Sequence, residues 1–185
     1  MGFSQVENYG CRYNSLQFTV FNPATLELWK NQNVSSTNGL YGSETICSRA
    51  TRNFFEFRFN NGTDRRKAAM DFLDLIPAGM YVGITNLGNE NSNSTFISDW
   101  QADQTILGTG NSLYHKLRSV GFTKIDSFTR NIPFLYFFKK GSTDFSPVQV
   151  VGAAANSYID QTIPVISKAV EGSIESPKYG PVRQW

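Results

Sequence analysis

Apolar and polar residues alternate in several short stretches of the chain, and each alternation predicts a strand with one buried face. In "SLQFTVFN", residues 15–22, Leu16, Phe18 and Val20 are separated by polar neighbours. "NPATLELW" continues it as a turn, with Pro23 pre-setting φ, and a second strand, so the pair predicts a β-hairpin. "FFEFRF", residues 54–59, alternates again. "MYVGIT", residues 80–85, is a short apolar run between turns and predicts a central strand. In "FLYFFKKG", Phe134, Tyr136 and Phe138 interleave with Leu135 and Phe137, which predicts a strand buried on both faces. "KIDSF", residues 124–128, reads as a short linking strand.

Two stretches change period. In "NNGTDRRKAAMDFLDLIPAG", Ala69, Phe72, Leu73 and Ile76 follow helical spacing. Thr63 or Asp64 can cap the start, and Pro77 and Gly79 stop the helix. In "NSLYHKLRSVG", Ser112 can cap a second helix whose Leu113, Leu117 and Val120 share a face. Gly121 supplies the left-handed C-terminal cap, where a Cβ would clash. Residues 31–53 and 88–110 are polar, glycine-containing and without sustained period, and read as two long inserted loops. Phe96, Ile97 and Trp100 are the apolar anchors of the second. The whole is an α/β chain of the α+β kind, with a few short helices packed on sheet.

Composition limits the function classes. A chain of 185 residues can bury a self-sufficient core, and 14% aromatic residues suit a β-containing domain. With 17% charged residues and a net charge of +2, the chain lacks the basic stripe of a nucleic-acid binder. Arg65-Arg66-Lys67 and Lys139-Lys140 read as solvated ends of elements. No apolar run approaches the roughly 20 residues of a membrane-crossing helix. The low Lys and Glu content and abundant Asn, Ser and Thr lean toward an exported protein. Cys11 and Cys47 allow one disulfide in an oxidising compartment. Two cysteines and one histidine do not complete a tetrahedral metal site, so no metal and no cofactor is expected.

Catalytic patterns are weak throughout. His115 lies off the apolar stripe of its helix, with no cysteine or GxSxG serine in its neighbourhood, and reads as structural or surface-facing. "GTGNS", residues 108–112, lacks the spacing of a phosphate or dinucleotide loop and reads as a turn. Asp71 with Asp74, and Asp99 with Asp103, sit at local spacings that place them on helix-like surfaces, as solvated acids or caps. Asn93-Ser94-Thr95 is a glycosylation sequon, relevant only in a eukaryotic secretory route.

The order of elements carries a resemblance. Ile76, Pro77, Gly79 and Val82, then Leu113, Leu117 and Gly121, then Phe138, Lys140 and Gly141 resemble the pattern of the interleukin-like EMT-inducer domain, also called GG or PANDER-like, across residues 14–142. The chain departs from that pattern before the last strand. "FTRNIPFLY" replaces the family's arginine-aspartate-serine-tryptophan stretch, with Arg130 near its place. The secreted vertebrate members carry two disulfides, whereas this chain has at most one. The inserted loops are similar to versions of the domain inside large exported Bacteroidetes surface proteins, some linked to type IX secretion.

The resemblance implies a PANDER-like fold with two β-sheets and short helices over residues 1–146. Residues 147–185 become a C-terminal extension and linker toward a following module, because "GSIESPKYGPVRQW" is similar to a joining segment of those proteins. The expected function is a non-catalytic accessory module of a larger secreted or cell-surface protein, binding carbohydrate or another ligand. The alternative is a structural spacer or protein–protein interaction domain contacting neighbouring domains of the same polypeptide. A sugar site pairs an aromatic platform with fixed polar groups. Trp100, Asp99, Tyr41 and Asn111 are the candidates in or beside the two loops, with Trp100 equally suited to anchoring its loop in the core.

Overall fold

The strand predicted at the start of the chain, β2 (Ser15–Phe21), is hydrogen-bonded along both edges. The computed structural model describes residues 3–4, 14–31, 53–59, 62–87, 96–128, 132–154, 159–165 and 178–184. In chain order the elements are β1 (Phe3–Ser4), β2, β3 (Phe55–Arg58), α1 (Gly62–Leu75), β4 (Tyr81–Leu87), α2 (Phe96–Ala102), α3 (Gln104–Leu107), α4 (Leu113–Ser119), a 3₁₀ turn (Thr123–Ser127), β5 (Phe134–Lys139), β6 (Val148–Val151), β7 (Ile159–Val165) and β8 (Lys178–Gln184). The fold is mixed α+β, centred on a five-stranded antiparallel sheet of order β3-β2-β4-β5-β6. Because β3 and β4 both run antiparallel to β2, they are parallel to each other, and α1 makes the crossover that parallel strands require.

The period of two then sorts the side chains. Leu16, Phe18, Val20, Phe55, Phe57, Val82, Ile84, Phe134, Tyr136 and Phe138 share one core with the helices. Leu135 and Phe137 point the other way, with Phe21 and Tyr81, under Ile159 and Ile163 of β7. The double burial expected of β5 is therefore real, and β4 is the central strand.

Helix α1 buries Ala69, Phe72 and Leu73 as their spacing predicts, and Gly79, at φ 87°, turns the chain into β4. Helix α4 starts on Ser112, whose Oγ accepts from the His115 N–H. Its end is a Schellman motif. Phe122 N–H donates to Leu117 O at 3.0 Å, Gly121 N–H donates to Arg118 O at 2.9 Å, and Gly121 has φ 95°.

Three expectations change. The linking strand at 124–128 lies in the 3₁₀ turn. Phe122, Ile125 and Phe128 are three residues apart, the repeat of that helix, and all three are buried. The hairpin after β2 shrinks to one bridge, Phe21 with Leu28, behind a turn in which Asn22 Oδ1 accepts from the Ala24 and Thr25 N–H groups. The second inserted loop is helical over α2 and α3, since Phe96, Trp100 and Leu107 recur at helical spacing and pack on the core. The extension expected after residue 146 carries β6, β7 and β8. In it, β6 pairs with β5 as the edge strand, and Ile159 and Ile163 of β7 are buried. Strand β8 pairs with β7 on one side and with β1 on the other.

Candidate functional site

On the helical side the charged residues act as clamps. Arg66 and Asp103 form a two-pronged pair, Nε to Oδ2 at 2.5 Å and Nη2 to Oδ1 at 2.7 Å, with both side chains under one-tenth exposed. Thr63 Oγ1 donates to Asp103 Oδ1 at 2.8 Å, and Arg66 Nη1 donates to the Phe59 carbonyl at 2.8 Å. The arrangement ties α1 to the end of β3 and to the junction of α2 and α3. It corrects the sequence expectation of a solvated Arg66 and of Asp103 as a surface acid. Asp99, by contrast, is exposed.

Lys140 also leaves its expected solvated role. Its ammonium donates to the carbonyls of Leu73 at 2.6 Å, Asp74 at 2.9 Å and Ile76, groups that the end of α1 leaves unpaired. Burial holds its pKa below the ordinary lysine value, opposed by the Asp74 charge. Replacing Lys140 by methionine keeps the stem and strands the carbonyls. Urea unfolding of this variant should show a loss of about 1–3 kcal/mol. An unchanged midpoint would mean that water satisfies them equally well.

His115 is half-buried, its Nδ1 2.8 Å from Ser112 Oγ, so the imidazole closes the helix cap. The Tyr136 hydroxyl donates to the Val120 carbonyl, and burial pushes its pKa well above that of a free phenol.

Three of the four candidate ligand residues lie among the described residues. Trp100 is 0% exposed and packs edge-on to Phe59 at 5.3 Å between ring centroids, with Phe128 at 5.7 Å. Of the two roles open to it, it takes the core anchor, and a wholly enclosed indole offers no face to a sugar. Asp99, one residue earlier in α2, is exposed. Asn111 is exposed too, and its Nδ2 donates to the Leu107 carbonyl at 2.9 Å, which fixes the loop after α3. Tyr41 lies outside the described residues, as do Cys11, Cys47 and the sequon at Asn93.

The other face of the sheet holds a group that sequence reasoning missed. Register places Gln17 of β2 between Glu56 of β3 and Thr85 of β4, and Ser15 beside Arg58 in the next row. Ser15, Gln17, Glu56 and Thr85 are between 0% and 7% exposed, and Arg58 is half-buried. Ser15 Oγ donates to Glu56 Oε1 at 2.8 Å. Thr85 Oγ1 and Arg58 Nε are buried with no hydrogen-bond partner among the described residues. The only sequence signal was the polar half of each alternation, which ordinarily means a solvent face.

Among the described residues, no three or more His, Cys, Asp or Glu side chains group as a metal site, and no helix is long and apolar enough to cross a membrane. Compared with known proteins, the chain matches no family model, no curated protein and no solved structure.

Proposed function

We propose that this chain is a non-catalytic accessory module of a larger secreted or cell-surface protein, and that it binds carbohydrate. The observation that carries the non-catalytic part is the use made of the groups chemistry would need. Lys140 caps α1, Arg66 and Asp103 hold each other, and His115 closes a helix cap. The carbohydrate part, the PANDER-like two-sheet fold and the export by a type IX route rest on the resemblance at Ile76-Pro77, Gly79, Leu117, Gly121 and Lys140-Gly141. The ladder of β7, β8 and β1 stands in the place of the second sheet in that reading.

A glycan array probed with the full chain tests it. The expected result is retention on a small set of related neutral glycans, reproduced by titration calorimetry. Silence across the array from a folded protein would remove the carbohydrate assignment.

The second reading is a spacer or interaction domain that contacts neighbouring domains of its own polypeptide. It is favoured by Ile106, 73% exposed on the short α3 beside a turn braced by Gln104 and Asn111. A fixed apolar knob of this kind suits a protein neighbour better than a sugar.

A further inference from the structure

We infer that Lys124 guards the outer edge of β6: its ammonium holds the carbonyl through which a second copy of this chain would pair with the five-stranded sheet.

Strand β6 ends the order β3-β2-β4-β5-β6, and no described strand lies beyond it. An edge strand turns a row of backbone groups outward and is a template for another strand. Three of the four residues of β6 are valine, which favours such pairing. One bond decides which groups face out. Gly152 N–H donates to Pro133 O at 2.7 Å, so the polar groups of Gly152 face the β5 side. Alternation then turns Val150 and Val148 the same way, and Pro147, Gln149 and Val151 outward. Pro147 has no N–H to offer. The outward ladder is confined to Gln149 and Val151. Gln149 N–H and both polar groups of Val151 have no hydrogen-bond partner among the described residues.

Those two positions are complementary to each other. In an antiparallel pair, two opposed residues exchange both N–H···O bonds. Gln149 of one copy set opposite Val151 of another meets this condition, and two-fold symmetry sets Val151 opposite Gln149 in return. Half of the bonds in that ladder would end on the Gln149 carbonyls. In this chain the carbonyl is already occupied, because Lys124 Nζ donates to it at 3.1 Å.

The position of Lys124 is fixed by the same residue. Gln149 Oε1 accepts from the Lys124 N–H at 3.0 Å and from Thr123 Oγ1 at 3.2 Å, and its Nε2 donates to Gly121 O at 3.0 Å. Phe122, Ile125 and Phe128, all buried, pin the 3₁₀ turn from the other side. The edge residue whose carbonyl needs cover thus fastens the turn that covers it. Lys124 itself is exposed. A second copy would bring two ammonium groups to one ladder, and their like charges oppose pairing as well.

The test is sedimentation equilibrium of the full chain, with amide hydrogen exchange, on the wild type and on Lys124→Met, Lys124→Ser and Lys124→Arg. Lys124 is exposed, so the substitutions leave the core untouched, and circular dichroism checks the fold. The expected wild type is monomeric, with fast exchange at Gln149 and Val151. Lys124→Met should self-associate at least about tenfold more tightly, with both amides protected, since each freed carbonyl regains a backbone donor. Serine, too short to reach the carbonyl, should act as methionine does, which separates the lost donor from added apolar surface. Arginine still donates and should remain monomeric. Folded Met and Ser variants that associate no more than the wild type overturn the inference. So does a dimer whose Gln149 and Val151 amides stay unprotected, because another surface then pairs. A wild type already paired through those two amides shows that Lys124 does not close the edge.

Discussion

Asp103→Ala is expected to cost about 3–5 kcal/mol, measured by chemical denaturation, because it leaves the Arg66 guanidinium enclosed without its counter-charge. The carboxylate receives two guanidinium N–H bonds and the Thr63 hydroxyl, and its side chain is 4% exposed. Coulomb attraction at such depth offsets a desolvation cost of several kcal/mol per ion, and truncating one partner keeps the cost without the attraction. The loss should spread beyond the pair. Arg66 also donates to the Phe59 carbonyl, so a guanidinium that swings toward water releases the end of β3 as well. Replacing both partners by apolar residues, Arg66→Met with Asp103→Leu, should recover most of the loss, since it removes both charges together. Should the single variant cost under about 1 kcal/mol, in the range of an exposed pair, the clamp is solvated in solution and α1 is held by its apolar face alone.

That pair marks where sequence legibility ends. Strands β4 and β5, the apolar face of α1 and both caps of α4 were readable, because each is decided within a few residues: an alternation, a helical repeat, a serine three residues before its donor, a glycine that must turn left-handed. Arg66 and Asp103 are separated by 37 positions, and nothing beside either announces the other. Charge at 65–67 therefore read as solvated surface, although the middle residue points inward. The same limit hid the polar block. Alternation tells that Gln17 and Thr85 face away from Phe18 and Ile84, but not whether that second face meets water. The strand β6 was hidden for a related reason. "VQVV" is too short to declare itself a strand, and only the exposed edge of β5 gives it a place. Phe122, Ile125 and Phe128 were visible as apolar positions, yet a spacing of three resembles neither of the two common periods, so the 3₁₀ turn passed for a strand.

Trp100→Ala separates the two roles that the sequence allowed this residue. The indole is fully buried among Phe59, Phe96 and Phe128 and joins α2 to the sheet. Its removal opens a cavity that aromatic neighbours cannot close, at a cost of about 3–5 kcal/mol. For a domain of this size that lowers Tm by roughly 6–20 °C, since each kcal/mol is worth about 2–4 °C. Trp100→Phe should be far milder than its lost volume suggests. The indole Nε1 is buried without a hydrogen-bond partner among the described residues, so its deletion breaks no bond there and removes a desolvated donor. Thermal unfolding followed by circular dichroism gives both numbers, and sugar titration well below the variant's Tm supplies the decisive one. With Trp100 as core, the folded fraction of Trp100→Ala binds as the wild type does, and any apparent loss follows the unfolded fraction. Loss of binding from a fully folded Trp100→Ala, with Tm unchanged, would return the ring to a ligand-facing role and contradict its burial.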